Sequence, residues 1–466
     1  MKRLGNYIFR ALFFASLTSE ILCQGNENCS ATPSRRNPGS MDIMCTCMQS
    51  LQQRVQNVDA LTIDRSGCEV VSALDISWNL LEHGIGPRTV TFIGAQIILT
   101  NPPNQSWNTS ISRITFERCL FDSIPPKSFE GLSRLTELRF INNYIGNVSS
   151  YSISGLPNLR TVEFADSDIV NIHTSAISDL PALFEMAFVR TSISSLADGA
   201  VKIIRTPQLP ANNDCPKIDI RIPPSDRMSD VMARSLESVD NLPLPEIGAR
   251  LHFYFCNITA LHPKAISSDW FSFVIFYGNR VSTFGTGAFQ LTMDNQCEIS
   301  AVMLVGNYFK SIQLGAVASI QKKQQANRPS YLVLTNNTFE FVAAKGFVIH
   351  PSIEVYSVAD NKFVCECPNF AWLMSNSETP RQQEIERNLK ASATCNYNSI
   401  SVTTFTDSCP KRDMASYPST EIVVVTLPDE VMYSSAVSIV HNQPTTGFLQ
   451  GIFILSLVGR QLLSHF

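Results

Sequence analysis

The residues of this chain best suited to chemistry by type and spacing are cysteines. Residues 360–373 read DNKFVCECPNFAWL, with Cys365 and Cys367 one residue apart, and MCTCM spaces Cys45 and Cys47 in the same way. Closely spaced thiolates can bind zinc, exchange electrons or close disulfides. Zinc needs further ligands at short spacing, and none of the seven histidines stands near either of these cysteine pairs at such a distance. No His-Glu-x-x-His, Gly-x-Ser-x-Gly, Gly-x4-Gly-Lys-Ser/Thr or Gly-x-Gly-x-x-Gly occurs. No catalytic residue, metal site or cofactor is therefore expected, and the chain reads as a non-enzyme.

The choice between metal, redox pair and disulfide turns on the compartment. The first residues carry Lys2 and Arg3, an apolar run centred on 11–17 and then polar residues, which is the layout of a secretory signal peptide over 1–23. Arg10 interrupts the run and Glu20 is unusual near the cleavage point; the competing reading is a buried helix of a cytosolic protein. Thirteen cysteines, of which cleavage would remove Cys23, suit an oxidising compartment. Glycosylation sequons begin at Asn28, Asn104, Asn108, Asn147, Asn257 and Asn336. Charged residues are 16% of the chain, with a net charge of −4 and no block of one sign. A nucleic-acid partner, which needs a basic stripe, is excluded on that ground.

The elements that must position these cysteines show themselves as a period. Four ungapped 24-residue segments start at Ile111, Leu135, Leu159 and Leu183, with apolar residues at positions 1, 4, 6, 11, 14 and 19 of each. Positions 4 and 6 flank an exposed position 5, so this part is a short strand with one buried face. Position 9 is Cys119, Asn143, Ser167 or Thr191, small residues able to satisfy backbone groups where the chain turns out of the strand. One turn cannot bury its apolar face alone, but stacked turns form a solenoid. With poorer spacing the pattern continues through Cys256, Asn279, Asn307, Asn337 and Asn361 at position 9, with weaker candidates around Leu61 and Val90. Residues 205–248 are proline-rich and lose the period, as an excursion, a degenerate turn or both.

This pattern resembles the leucine-rich repeat family, whose unit is L-x-x-L-x-L-x-x-N/C-x-L. The resemblance implies an α/β solenoid: a horseshoe with a parallel concave β-sheet, an irregular or short-helical convex side and disulfide-capped ends. It spans residues 58–363 in about eleven turns, on the order of 50 Å at the usual strand spacing. Asn361, Phe363, Cys365, Cys367 and Trp372 resemble the start of the C-terminal cap of extracellular members, which implies a cap over 361–412 with pairs Cys365–Cys395 and Cys367–Cys409. The cysteines of 24–68 resemble an N-terminal cap, with Cys29–Cys47 and Cys45–Cys68 as the expected pairs. Cys119 and Cys256 are expected to be buried thiols. A Cys215–Cys297 bridge is left open.

A repeat stack offers a surface at positions 3 and 5, flanked by 2, 7 and 8. The first turns place Arg113, Glu117, Arg118, Glu137, Arg139, Glu163, Asp166, Glu185 and Arg190 there, and later turns His252, Tyr254, Phe255, Phe273, Tyr277 and Tyr331. The face thus changes from charged to aromatic, and tyrosine and arginine are frequent interface anchors. The alternative is that the aromatics pack on one another or under 205–248. After a linker, 413–436, come a small triplet at Ser434, a ten-residue spacer and an apolar terminus. Residues 437–466 thus have the layout of a glycosylphosphatidylinositol anchor signal with Ser434 as attachment site. A transmembrane helix, for which the apolar run is short, and a plain secreted chain are the alternatives. The expected function is extracellular recognition of a protein ligand, as an adhesion molecule or co-receptor held to the membrane by lipid. The alternatives are an innate-immune protein binding microbial glycan or lipid, and a structural matrix protein.

Overall fold

The structure, a computed structural model, describes residues 28–36, 40–47, 58–68, 73–76, 87–100, 110–204, 249–293, 300–323, 330–343, 345–353, 355–370, 373, 380–396 and 399–410. The segment 1–23, Asn104, Asn108, residues 205–248 with Cys215, and Cys297, Trp372 and Ser434 lie outside these residues.

Positions 3–7 of each regular turn form one strand: Arg113–Glu117, Glu137–Ile141, Thr161–Ala165 and Glu185–Val189. Burial alternates along each, so Ile114 and Phe116 or Leu138 and Phe140 face the core with no exposed surface. The strands pair in parallel with no slip, Arg113 opposite Glu137, then Thr161, then Glu185. A slip of one residue would turn every core side chain outward, and the apolar pattern forbids it. Among the described residues the sheet has thirteen strands, of which the first two belong to the N-terminal cap and the other eleven come one per turn, from Val58–Asp64 to Val355–Ala359. Glu185–Val189 pairs directly with Ala249–Tyr254, so the ladder is continuous between the turns on either side of residues 205–248.

Position 8 turns the chain out of the sheet and has a positive φ in turn after turn: 53° at Arg118, 55° at Asn142, 51° at Asp166, 48° at Arg190 and 54° at Phe255. Gly278 fills this position at φ 66°, and here glycine is needed twice over, because a Cβ would lie 2.7 Å from the Phe255 ring. The next residue, position 9, is where buried side chains take over the hydrogen bonding. Asn307 Nδ2 donates to Phe276 O at 2.9 Å, and Asn307 Oδ1 accepts from Asn279 N at 2.9 Å. Asn143, Asn279, Asn337 and Asn361 donate in the same way to the position-6 carbonyl of the turn before. Thr191 Oγ1 does so with Phe164 O at 2.9 Å, and the Cys119 and Cys256 thiols with Phe92 O and Phe188 O at 3.4 and 3.3 Å. All these residues are at most 3% exposed. The choice of Asn, Cys, Ser or Thr at position 9 is thus a choice among buried donors. Cys119 and Cys256 are free thiols, and burial pushes their pKa values up to about 11 and about 12, which keeps them unreactive.

Three further sheets wrap the core among the described residues, the smallest being the parallel pair Leu74–Ile76 and Ile97–Leu99. Positions 10–14 build a ten-stranded parallel sheet that includes Leu120–Ile124, Tyr144–Val148 and Asp168–Ile172. On the convex side, short strands such as Val201–Ile203, Ile266–Ser268 and Phe289–Met293 form a five-stranded sheet among irregular turns. No helix occurs among the described residues of the repeats. About ten residues remain after position 14, and prolines such as Pro125, Pro157 and Pro181 interrupt them. They are too few for a helix with two connections, whereas a two- or three-residue bridge fits. Between the sheets runs a column of rings at position 6, Phe92, Phe116, Phe140, Phe164, Phe188, Phe253 and Phe276, with adjacent centroids 4.3 to 5.3 Å apart. The contact passes through Phe289, Phe284, Phe309, Phe339, Phe363 and Phe370 to Phe405 in the cap.

Both ends are closed. At the C-terminus, Cys365 is bonded to Cys395 and Cys367 to Cys409. Helix α1, Pro380–Ser392, buries Ile385 and Leu389, and helix α2, Val402–Ser408, is N-capped by Ser401, whose Oγ accepts from Thr404 N. Phe370, fully buried, fills the end of the stack. The N-terminal pairing differs from the expected Cys29–Cys47 and Cys45–Cys68: the bonds are Cys29–Cys45 and Cys47–Cys68. The reason is strand direction. Asn28–Pro33 runs antiparallel to Met41–Thr46 and sets Cys29 directly opposite Cys45, with 4.0 Å between Cα atoms. Cys47 has already left the strand through a positive φ of 57° and meets Cys68 of the following turn.

Candidate protein-binding face

The outward rows of the large sheet hold ten sequence-selected residues: Arg113, Glu137, Arg139, Glu163, Glu185, His252, Tyr254, Phe273, Tyr277 and Tyr331. The register brings them onto one face. Position 3 aligns Arg113, Glu137, Thr161, Glu185, Arg250, Phe273, Ala301 and Tyr331, and position 5 aligns Thr115, Arg139, Glu163, Ala187, His252, Ile275, Met303 and Val333. The face has two halves of different character.

The first half is an ion-pair stripe. Glu137, with its side chain 12% exposed, lies between Arg113 and Arg139. Arg113 Nε donates to Glu137 Oε2, whereas the Arg139–Glu137 pair lacks hydrogen-bond alignment. Arg139 Nε is also 3.3 Å from Glu163 Oε2. On the rim, Arg190 grips Asp166 with two hydrogen bonds of 2.6 and 2.7 Å and holds that carboxyl below the usual range. Both rim side chains are well exposed, so the pair contributes little stability. The guanidinium groups of Arg113 and Arg139, each with the side chain more than 40% exposed, remain within reach of a partner.

The second half is apolar and buried. Tyr254, Phe273, Ile275, Ala301, Met303 and Val333 form a cluster separate from the solenoid core, each at most 6% exposed. Tyr277 and Tyr331 are half-buried against it. His252, Tyr254 and Phe273, expected as ligand contacts, are therefore closed off rather than presented. Sequence reasoning passed over Ile275, Met303 and Val333, although apolar residues in three successive outward positions were the available signal. Phe255 is 50% exposed on the rim and packs edge-on against Tyr277.

His252 is 4% exposed, its Nδ1 lies 2.6 Å from Tyr254 Oη, and its Nε2 has no hydrogen-bond partner among the described residues. Burial first, and then the charge of Arg250, push its pKa down to about 4 from an ordinary value of 6.5. Burial, and then the charge of Glu185, raise that of Tyr254. The folded chain keeps His252 neutral where an unfolded chain would protonate it. Stability should be unaffected above pH of about 6.5 and fall as pH drops from there towards about 4, by about 3 kcal/mol in total. In urea titrations across that window, a His252→Phe chain should lose markedly less stability than the unaltered chain. Identical pH profiles would show that His252 does not drive the loss.

Among the sequon residues, Asn257 and Asn336 are exposed. Asn147 is half-buried and accepts at Oδ1 from Asn171 Nδ2 at 3.1 Å. Asn28 opens the first strand of the sheet. Among the described residues, no group of three or more His, Cys, Asp or Glu is placed to hold a metal, and no helix is long and apolar enough to cross a membrane.

No protein-family description matches the sequence, and no curated protein does. Solved structures that align with it include the APL1 leucine-rich repeat domain, at 13% identity over 72% of this chain and 82% of that one, with a TM-score of 0.27. Another is the complex of latrophilin 3, Unc5D and FLRT2 (LRR), at 12% identity over 70% and 93%, with a TM-score of 0.24. A third is the glycosylated Toll–Spatzle complex of Drosophila, at 11% identity over 80% and 74%, with a TM-score of 0.17. Values this low carry no partner across to this chain. The fold assignment rests on the strand register, the position-9 ladder and the capped ends.

Proposed function

We propose that this chain, a leucine-rich repeat solenoid closed at both ends by disulfide-bonded caps, is an extracellular recognition protein that grips a protein ligand with its concave sheet. The observation that carries the reading is the stripe from Arg113 to Glu163, where alternating charges lie half-buried on a rigid sheet. Such a stripe fixes the register of a partner through charge complementarity and penalises mismatched ones. The four disulfides among the described residues and the sequons support an oxidising, extracellular setting. Glycans at Asn147, Asn257 and Asn336 would sit off the solenoid core. Lipid attachment at Ser434 would make the protein an adhesion molecule or co-receptor at the cell surface. Release of the protein from cells by a phosphatidylinositol-specific phospholipase tests that part alone.

The recognition reading is tested by screening the secreted chain against cell-surface and secreted proteins, followed by charge reversal. Arg113→Glu with Arg139→Glu should weaken the ligand so found at least about ten-fold. Its far-UV circular dichroism should be unchanged, since both side chains point away from the core. Full affinity in that variant would move the ligand off this face.

A further inference from the structure

The ion pairs of the charged half share a geometry that decides which charge the solvent meets. Arg113 and Arg139 approach Glu137 through Nε, and Arg139 approaches Glu163 in the same way. Arg88 faces Asp59 through Nε at 4.0 Å. Arg190, in contrast, uses both Nε and Nη2 on Asp166. Among the described residues, no acceptor takes a hydrogen bond from the Nη groups of Arg88, Arg113 or Arg139. Each of these guanidinium groups therefore keeps its four Nη N–H donors for another partner. The acids lie lower than the arginines. The side chains of Asp59, Glu137 and Glu163 are 9, 12 and 27% exposed, against 64, 41 and 42% for Arg88, Arg113 and Arg139. The cause is reach: a short carboxylate ends near the sheet, whereas arginine carries its charge to water on a longer stem. Arg134 and Arg160 are also exposed, with no ion pair among the described residues. The arginines gather where four successive strands begin. Arg88, Ser112, Thr136 and Arg160 share position 2 of these turns and are joined by backbone hydrogen bonds of 2.8 to 2.9 Å. Arg113 follows Ser112, and Arg134 leads into Glu137–Ile141. The solvent thus meets guanidinium along this side of a chain whose net charge is −4.

We infer that this arginine row seats an acidic segment of the protein ligand, an extended stretch with aspartate or glutamate at alternate positions. The inference rests on the recognition reading above and names the chemistry of the partner. Guanidinium groups with free Nη ends take carboxylates through paired, parallel hydrogen bonds, which a lysine ammonium does not offer. The spacing agrees. Arg88 and Arg160 stand three strand spacings apart, about 14 Å. Alternate side chains of an extended segment laid across the strands share one side and recur about every 7 Å. Carboxylates at three alternate positions therefore cover the row. The acids beneath set the selectivity. Asp59, Glu137 and Glu163 cancel part of the field, so a dense polyanion gains little from charge alone. A carboxylate gains when it lands on a guanidinium, and a cationic segment meets exposed arginine first and is repelled.

The test is fluorescence anisotropy of short labelled peptides with the full chain, at about 50 mM salt, where exposed charges are weakly screened. A peptide of alternating glutamate and serine should bind, and the same peptide with lysine for glutamate should not. Arg88→Gln with Arg160→Gln should weaken the glutamate peptide at least about five-fold. Arg280→Gln should leave it unchanged, because Arg280 lies on the ten-stranded sheet with its guanidinium 4.9 Å from the Tyr308 ring centre. Arg88 and Arg160 are exposed, so the double variant should match the unaltered chain in urea titration. Four results overturn the inference. They are no binding of the glutamate peptide, equal binding of the lysine peptide, undiminished binding by the double variant, and binding of a heparin oligosaccharide where the glutamate peptide stays free, which would name a sulfated glycan instead. Failure here is separable from failure of the recognition reading. A screened ligand that is lost on reversing Arg113 and Arg139, beside a glutamate peptide that stays unbound, would keep the concave face as the site and remove the acidic segment.

Discussion

Replacing Asn307 with leucine is expected to lower the free energy of unfolding by about 3–6 kcal/mol, a cost set by two kinds of orphaned backbone group. Phe276 O loses its 2.9 Å donor, and Asn279 N loses its 2.9 Å acceptor, both in the buried interior. Leucine keeps the branched skeleton of asparagine but carries bulkier methyl groups, so some overpacking adds to a loss that is chiefly one of hydrogen bonds. The sequence itself supplies the control. Cys119 and Cys256 occupy the same position and donate to the preceding turn's carbonyl through sulfur. Asn307→Cys should therefore keep the Phe276 carbonyl paired, leave only the acceptor side unmet and cost about half as much. Urea titration of the three chains should rank asparagine above cysteine above leucine. Equal losses from cysteine and leucine would refute the view that position 9 is selected as a donor. Because turns in a solenoid contact only their neighbours, the damage should centre on the turns around Asn307, with faster amide exchange there than around Asn143.

The contrast between Asn307 and Cys29 shows what a linear sequence carries. Asn307 was readable because its role is periodic: it stands two residues before a core position and three after another, as Asn143 and Asn337 do. The concave strands and the position-9 ladder follow from that period alone. The Cys29 pairing depends on the direction in which the strand Asn28–Pro33 runs, and spacing holds no information on direction. The convex strands escaped notice because most are bridges of two or three residues, such as Ile177–Ser178, too short to show an alternation. The charged half of the concave face followed from the outward positions. The burial of His252, Tyr254 and Phe273 did not, because periodicity assigns a residue to a row and is silent on how closely large outward side chains of adjoining strands pack on one another.

Phe164 lies in the middle of the ring column, and Phe164→Ala is expected to cost about 4–6 kcal/mol. Its ring is fully buried and stacks on Phe140 at 4.8 Å and on Phe188 at 5.1 Å, with both pairs 6° from parallel. Truncation leaves a cavity that the flanking strands cannot close, because their spacing is held by backbone pairing on both sides of the ring. About 3–5 kcal/mol comes from lost transfer energy and cavity, and the rest from two aromatic contacts. Phe255→Ala, on the half-exposed rim, removes the same atoms yet should cost under about 1 kcal/mol. The pair separates ring burial from ring count. Phe164→Leu, which refills much of the cavity but breaks the stack, should fall between them. Thermal unfolding of the three variants gives the ranking. A small effect at Phe164 would mean that neighbouring turns slide together to fill the gap, which would require the in-register pairing of Val162 with Leu138 and Met186 to yield.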